Sequence, residues 1–242
     1  MSLYTLHEDQ GASRAPSSFT RGVRDDSEIG GINIFADFQG DLAGGLNQLQ
    51  PTKITDGAEA GGVVKLQGTG TGDQLTALHS NIGIQLDARC ALEVRIKKTT
   101  VSNADGSVFL GLVAGTVGNA LPISGSDHAV VVNAAGFFID EDSTNSVGLV
   151  RRGSGSAATI QSSAISADTF FKIGFVFDPQ DGLKWYFNGV EQSSSISKAD
   201  IDDATKFPAS SELLSLVLGI KSSDSGADTI EIDWVKFIKE AA

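Results

Sequence analysis

Two acidic residues near the end of the sequence, Glu231 and Asp233, have the spacing of a catalytic carboxylate pair. They stand two residues apart in a run that alternates apolar and polar side chains, so a strand would place both on one face. Retaining glycoside hydrolysis uses two carboxyl groups about 5–5.5 Å apart, a separation that same-face neighbours can supply. Acid pairs on ordinary strands more commonly face solvent, and we expect that of Glu231 and Asp233.

The residues around this pair resemble a known catalytic strand. The segment 229–236, TIEIDWVK, is similar to the Glu-x-Asp-x-x-Glu strand of family 16 glucanases, which adopt a concanavalin-like jelly roll. Lys236 stands where that pattern has its last acid, the general acid. Trp185 and Trp234 are the only tryptophans, too few for a tryptophan-rich sugar cleft. We therefore expect no catalytic residues and no enzyme activity, and a family-16-like glycosidase is the least favoured alternative.

Histidine and cysteine are too scarce to suggest other catalytic or metal sites. His7, His79 and His128 lie in no recognisable motif, and a nucleophilic triad needs a histidine beside its nucleophile. A single cysteine, Cys90, excludes an intramolecular disulfide and a cysteine-based zinc site. We expect Cys90 to be a small buried side chain at the start of a strand.

Two acidic clusters could supply oxygen ligands for calcium. They are the segments 140–142 (DED) and 200–203 (DIDD), and calcium requires six to eight such oxygens. Neither cluster matches the twelve-residue EF-hand spacing. Acidic surface turns are common in a chain with a formal net charge of −12. We expect no cofactor and no metal site, with calcium as the alternative.

The segment 170–192 has the pattern of a three-stranded meander. Asn188-Gly189 accommodates the positive φ angles of a type I′ turn, so a strand should return after it. The hairpin resembles the x-Tyr-x-Asn-Gly hairpin of laminin-G and concanavalin-like lectin domains, and the segment 230–237 resembles their closing strand. Trp185 and Tyr186 must point to opposite faces, and Trp185 shares its face with apolar neighbours. Tyr186 is therefore the candidate carbohydrate-binding residue, because an exposed ring can stack on a sugar.

The remaining elements indicate an all-β fold. Further strands are predicted near residues 32–38, 63–66, 74–78, 92–97, 107–114, 128–132, 136–139, 147–151, 158–162, 213–220 and 229–238. One short helix should be capped by Ser197, with Asp200 at N3, and end near 206–208. By alternation, Trp234 should face inward with Ile230 and Ile232. We predict a concanavalin-like β-sandwich (jelly roll) as one domain over residues 31–242.

Residues 1–30 differ from the rest of the chain and are predicted to form an extended N-terminal arm. They show no period of 2 or 3.6 and could not bury enough apolar surface alone to offset their ordering entropy. Spaced apolar side chains and arginines suggest an arm that docks on a partner. The candidate partner-binding residues are Tyr4, Leu6, Arg14, Phe19, Arg21 and Arg24.

Composition excludes several classes of partner. Eighteen basic and 30 acidic residues give a charge that repels phosphate backbones and anionic lipid, so we expect no nucleic acid and no membrane. No apolar run approaches the ~18 residues of a membrane span. Glycine is abundant at 28 residues against five prolines, which is typical of short strands joined by glycine turns. The sequence begins without a Sec-type signal, from which we expect folding in a cytoplasm.

An arm before a sandwich with Gly/Ser/Ala-rich turns also resembles structural proteins of tailed-bacteriophage virions. The resemblance implies a capsid decoration or cement protein that folds in the host cytoplasm and resides on the capsid surface. Its partners would be the major capsid protein and further copies of itself as a homo-oligomer; a tail or fibre location stays open. The alternative is a lectin-like module that binds host glycans, since this sandwich serves both roles.

Overall fold

Two antiparallel sheets packed face to face form a β-sandwich in the computed structural model. The structure describes residues 31–36, 38, 46–49, 54–56, 62–68, 75–99, 106–114, 133–139, 144–152, 158–221 and 229–242. The described strands are β1 Ile32–Ala36, β2 Leu46–Leu49, β3 Ile54–Asp56, β4 Val64–Gln67, β5 Leu75–Ser80, β6 Cys90–Lys98, β7 Ser107–Ala114, β8 Ala134–Ile139, β9 Asn145–Arg151, β10 Ala158–Ala164, β11 Phe171–Asp178, β12 Gly182–Phe187, β13 Val190–Ser197, β14 Leu214–Lys221 and β15 Thr229–Lys239.

Sheet A has the order β13-β12-β11-β6-β15-β4-β3, and β1 pairs with the same edge of β15 as β4 does. Sheet B has the order β10-β9-β8-β7-β14-β5-β2. Side chains alternate between the two faces of each strand, so every second side chain points into the space between the sheets. On β6, for example, Leu92, Val94 and Ile96 all belong to this core. The predicted β-sandwich is confirmed. The strand predicted at 128–132 and the arm at 1–30 lie outside the described residues.

Strands β2 and β3 were absent from the prediction, because the four and three residues of LNQL and ITD carry too little alternation. The meander at 170–192 is confirmed as β11, β12 and β13. Asn188 and Gly189 have φ angles of +49° and +81°, as a type I′ turn requires.

Trp185 points into the core, as its alternation predicts. Its ring makes edge-to-face contacts with Phe137 and Phe175, at centroid distances of 5.0 and 6.1 Å. On β9, a Cβ added at Gly148 would lie 2.7 Å from Trp185 ring atoms. The indole therefore occupies the space that glycine leaves free in the opposite sheet.

Helix α1, Lys198–Asp202, is shorter than predicted. Ser197 is its N-cap as expected, since its hydroxyl accepts from the Asp200 N–H at 3.2 Å. The helix ends at Asp202 rather than near 206–208. Asp203 is extended and its side chain accepts from the Thr205 N–H at 2.9 Å, a local bond that competes with helix continuation. Among the described residues, no helix is long and apolar enough to cross a membrane.

Candidate functional site

The outer face of sheet A, the face turned away from the core, carries most of the residues singled out from the sequence. Strand β6 contributes Glu93, Arg95 and Lys97, which alternate with the inward Leu92, Val94 and Ile96. Strands β11, β15 and β12 add Lys172, Glu231, Asp233, Trp234, Lys236, Lys184 and Tyr186. Tyr186 and the acid pair, more than forty residues apart in sequence, thus share one face of one sheet.

A β-bulge in β15 decides where Asp233 and Trp234 point. Ile232 pairs with Ile96 and Trp234 with Arg95, so Asp233 is an extra residue. Ile232 and Val235 both belong to the core, which leaves the two residues between them on the outer side. The prediction that Trp234 faces inward with Ile232 is therefore wrong: Trp234 is buried, but it lies on the outer face. A bulge shifts the alternation by one residue, and the sequence carries no marker of it.

The acid pair is not solvent-facing, contrary to expectation. Asp233 Oδ2 lies 2.6 Å from Arg95 Nη1, and the two side chains are 1% and 6% exposed. Glu231 Oε2 lies 2.9 Å from Lys97 Nζ, which also binds Asp168 Oδ1 at 3.1 Å. Burial alone lowers the pKa of Lys97, but the bonds to Glu231 and Asp168 outweigh it and the pKa is raised. Both carboxylates are thus held by cations from β6.

An aromatic ring covers these cations. The Phe170 ring centroid lies 4.1 Å from Arg95 Cζ and 5.2 Å from Lys97 Nζ, within the range of cation–π attraction. Nearby, burial lowers the pKa of Lys172, Glu93 opposes that effect and Arg95 adds to it. The centre of the outer face is therefore a layer of charges packed beneath aromatic and aliphatic groups.

This geometry bears on the resemblance to a glucanase strand. Glu231 and Asp233 each bind a cation, and Lys236 stands in the position of the third acid. A retaining glycosidase needs one carboxyl free to attack and a second free to give and take a proton. Among the described residues of this strand, the position of the general acid is occupied by Lys236.

Tyr186 lies toward the β13 edge of the same face and is partly exposed, as its candidate role requires. Its ring packs on an apolar patch of Ala91, Val176 and Ile238. Its hydroxyl donates to Glu191 Oε2 at 3.2 Å, and Glu191 Oε1 lies 3.2 Å from Lys184 Nζ. Burial, and then the nearby Glu191 carboxylate, raise the pKa of Tyr186 to about 12.

The Glu191 and Lys184 partners of Tyr186 were not identified from the sequence, although a signal for them existed. The type I′ turn at Asn188-Gly189 fixes β12 against β13, which sets Tyr186 opposite Glu191. Arg95 and Phe170 were also missed. Nothing local could have found them, since Arg95 and Asp233 are 138 residues apart.

The acidic cluster at 200–203 binds lysines. Asp200 Oδ1 lies 2.6 Å from Lys206 Nζ, and Asp202 Oδ1 lies 2.6 Å from Lys198 Nζ. The bonds from Lys206 and Ser197 lower the pKa of Asp200. No group of three or more potential metal-ligating side chains occurs within the described ranges. The cluster at 140–142 and the arm residues Tyr4, Leu6, Arg14, Phe19, Arg21 and Arg24 lie outside them.

The outer face of sheet B is chemically different. Eight apolar side chains, all nearly inaccessible to solvent, form one cluster there: Leu75, Ala77, Phe109, Val113, Ala134, Phe138, Leu149 and Val217. The described outward positions between them include Gly111, Gly136 and Gly219. We found no carboxylate among the described residues of this face.

Comparisons with known proteins support the fold. No protein-family model matches the chain, and no curated protein matches its sequence. A protein of unknown function from Shewanella oneidensis MR-1 is similar in structure, with a TM-score of 0.61, 15% identity and 93% of each chain covered. The Emp47p carbohydrate recognition domain has a TM-score of 0.58 at 11% identity, covering 86% of this chain and 95% of its own.

The catalytic domain of a laminarinase from Thermotoga maritima MSB8 has a TM-score of 0.54 at 11% identity, covering 75% of this chain and 79% of its own. The chain is accordingly an all-β, concanavalin-like sandwich, as predicted. These neighbours give no support to the virion and capsid part of the prediction. They include both a sugar-recognition domain and a glycosidase, so the fold alone leaves function open.

Proposed function

We propose that this protein is a non-enzymatic, lectin-like carbohydrate-binding module whose site includes Tyr186. The observation that carries the proposal is a partly exposed aromatic ring that rests on an apolar patch beside the Glu191 carboxylate and the Lys184 ammonium. A sugar can stack its C–H face on the ring while its hydroxyls donate to Glu191 and accept from Lys184. Neighbours that recognise or cleave carbohydrate support this class of ligand.

The two outer faces favour sheet A as the binding surface. On sheet B, the centre of the described outer face is a cluster of eight buried apolar side chains, which offers no polar group to orient a sugar. On sheet A, the side chains of Lys184 and Glu191 are about half exposed next to Tyr186. A sugar there would meet both an apolar surface and hydrogen-bonding groups.

The ion pairs support a binding role over hydrolysis. Glu231 and Asp233 are each held by a cation, and a carboxylate in that state is a poor proton donor. We therefore expect no hydrolysis of β-glucans, measured as reducing ends released over hours. Hydrolysis that disappears in Glu231→Gln would contradict this part of the proposal.

The proposal is tested on a glycan array with the full chain, in the presence and absence of calcium. We expect binding to at least one class of glycan, lost in Tyr186→Ala and retained in Val190→Ala. Val190 is 65% exposed on the same hairpin, so its substitution controls for general surface effects. No binding in either condition, or equal binding by Tyr186→Ala, would refute the proposal.

The capsid-decoration hypothesis depends on residues 1–30, so it is tested separately from carbohydrate binding. Tyr186→Ala should not affect attachment to a capsid, whereas substitution of Tyr4, Leu6 and Phe19 should abolish it. The measurement is the copy number of the protein per particle after incubation with capsids. If the triple variant still attached at full occupancy, the hypothesis that the arm docks on the capsid would be wrong.

A further inference from the structure

We infer that two copies of this chain associate through the outer edge of β13 and join their sheets A into one continuous sheet. Strand β13 is an outermost strand of sheet A, and among the described strands it pairs only with β12, on one side. The backbone groups on its other side face no described strand. Such an edge is a template for a further antiparallel strand, here the β13 of a second copy.

The edge is long and open to solvent. Strand β13 spans eight residues, whereas β3, at the opposite end of sheet A, spans three. Ile196 is the one buried side chain of the eight. Natural sheets commonly protect their edges with lysine, proline or very short strands, and the segment VEQSSSIS has none of these protections. The edge is therefore able to pair with another strand.

The side chains of β13 favour one register between the two copies. With Ser193 on the two-fold axis, Glu191 lies opposite the partner's Ser195, and Val190 lies opposite the partner's Ile196. The carboxylate then meets a hydroxyl, whereas an axis through Glu191 would set two like charges directly opposite each other. Val190 is apolar and 65% exposed in the single chain, and the second copy gives it an apolar neighbour.

This register also accommodates the bulge in β13. Glu191 pairs with Tyr186, which lies on the outer face. Ser195 pairs with Lys184 on the same face, so Glu191 and Ser195 point the same way, as opposite residues of a ladder must. Three residues, 192–194, separate them on β13, and one residue separates their partners on β12. An axis at Ser193 brings the bulges of the two copies together and pairs the regular halves on either side.

The ladder ends where β13 leads into helix α1. Ser197 caps this helix, because its hydroxyl accepts from the Asp200 N–H. An axis at Ser193 pairs the residues from Val190 to Ile196 and leaves the cap outside. An axis at Ser194 would draw Ser197 into the ladder and leave Val190 unpaired. The helix cap and the exposed valine thus agree on the same axis.

Antiparallel pairing about a two-fold axis turns the same face of both sheets to the same side. Both Tyr186 rings would therefore lie on one surface. The partner's Ser195 brings a hydroxyl next to Glu191, the carboxylate that accepts from Tyr186. A dimer would then offer two sugar sites to one multivalent ligand. This consequence rests on the proposed function, whereas the dimer itself does not.

Sedimentation velocity with the full chain, from about 1 to about 300 μM, tests the association, and we expect a reversible monomer–dimer equilibrium. Val190→Lys places a charge beside the partner's Ile196 and should weaken the dimer about tenfold or more, whereas Val190→Ile should preserve it. Leu213→Lys is the matched control, because Leu213 is 63% exposed and lies beside Gly83, away from β13. A monomer at every concentration, or equal effects of the two lysine variants, would overturn the inference whatever the glycan array shows.

Disulfide cross-linking tests the register. Ser193→Cys should give a covalent dimer in oxidised glutathione, because the two thiols face each other across the axis. Ser195→Cys, also exposed on β13, should not, since it lies opposite the partner's Glu191. The natural Cys90 is fully buried and does not compete. Equal cross-linking of both variants, or of neither, would contradict the proposed interface.

Discussion

The outer faces of the two sheets bury their side chains by opposite means. On sheet A, charged side chains are buried in ion pairs such as Arg95–Asp233, with Phe170 stacked above. On sheet B, the buried outward side chains are apolar, and Gly111 lies opposite Gly136. Strand alternation predicts the inner faces of both sheets equally well. It says little about which interactions bury the side chains of an outer face.

Close backbone approach distinguishes sheet B further. A Cβ added at Gly111 would lie 2.5 Å from the Ala135 carbonyl oxygen, and one at Gly136 would lie 2.5 Å from that of Leu110. Strands β7 and β8 can approach this closely only without those side chains. The outward side chains of sheet A thus pack through ion pairs, whereas those of sheet B pack through small residues and apolar contacts.

Introducing a carboxylate on sheet B should have the largest effect. Ala77 is fully buried in the apolar cluster, so Ala77→Asp would bury a carboxylate among apolar side chains. We expect the free energy of unfolding to fall by more than about 4 kcal/mol, measured by urea denaturation. Ser215→Asp on the same face is the control, because Ser215 is partly exposed and the new carboxylate could reach water. Equal stability of the two variants would mean that sheet B tolerates charge as sheet A does.

Removing a charge from sheet A should have a smaller but still large effect. Asp233→Asn keeps the shape of the side chain and leaves Arg95 buried without its ion-pair partner. Breaking a buried pair from one side typically costs about 3–5 kcal/mol, and we expect about 3 kcal/mol here, since the amide oxygen can still accept. Thermal and urea unfolding would measure it.

The matched control is Asp202→Asn, which breaks the exposed Lys198–Asp202 pair on α1. It should change stability by no more than about 0.5 kcal/mol. If both substitutions had equal effects, the Arg95–Asp233 pair would contribute no more than a surface pair. A small effect of that kind is what a solvent-facing acid pair would give.

The smallest effect concerns ionisation of Tyr186. Because the fold raises its pKa to about 12, the neutral phenol is favoured in the folded state. The contribution of the neutral phenol to the free energy of unfolding is fully present below the unfolded-state pKa of ~10. It is lost as the pH rises through the folded-state pKa of about 12. Near-ultraviolet absorbance should show one of the two tyrosines ionising near pH 12, with that step missing in Tyr186→Phe. Ionisation of both tyrosines near pH 10 would place Tyr186 in water.

The sequence by itself determined the features that depend on neighbours along the chain. Alternation predicted the sandwich and the inward orientation of Trp185, Asn188-Gly189 predicted the turn, and Ser197 predicted the N-cap. These patterns are legible because strand pleat, turn φ angles and capping bonds involve residues only a few positions apart.

Only the tertiary structure decided what the outer faces are made of. The bulge at Asp233 turned Trp234 outward, and Arg95 came to the acid pair from a strand 138 residues away. Likewise, Tyr186 shares a sheet with the acid pair only because β11 and β6 lie between their strands. The order of strands in a sheet follows from burial of the whole core, and no local pattern in the sequence encodes it.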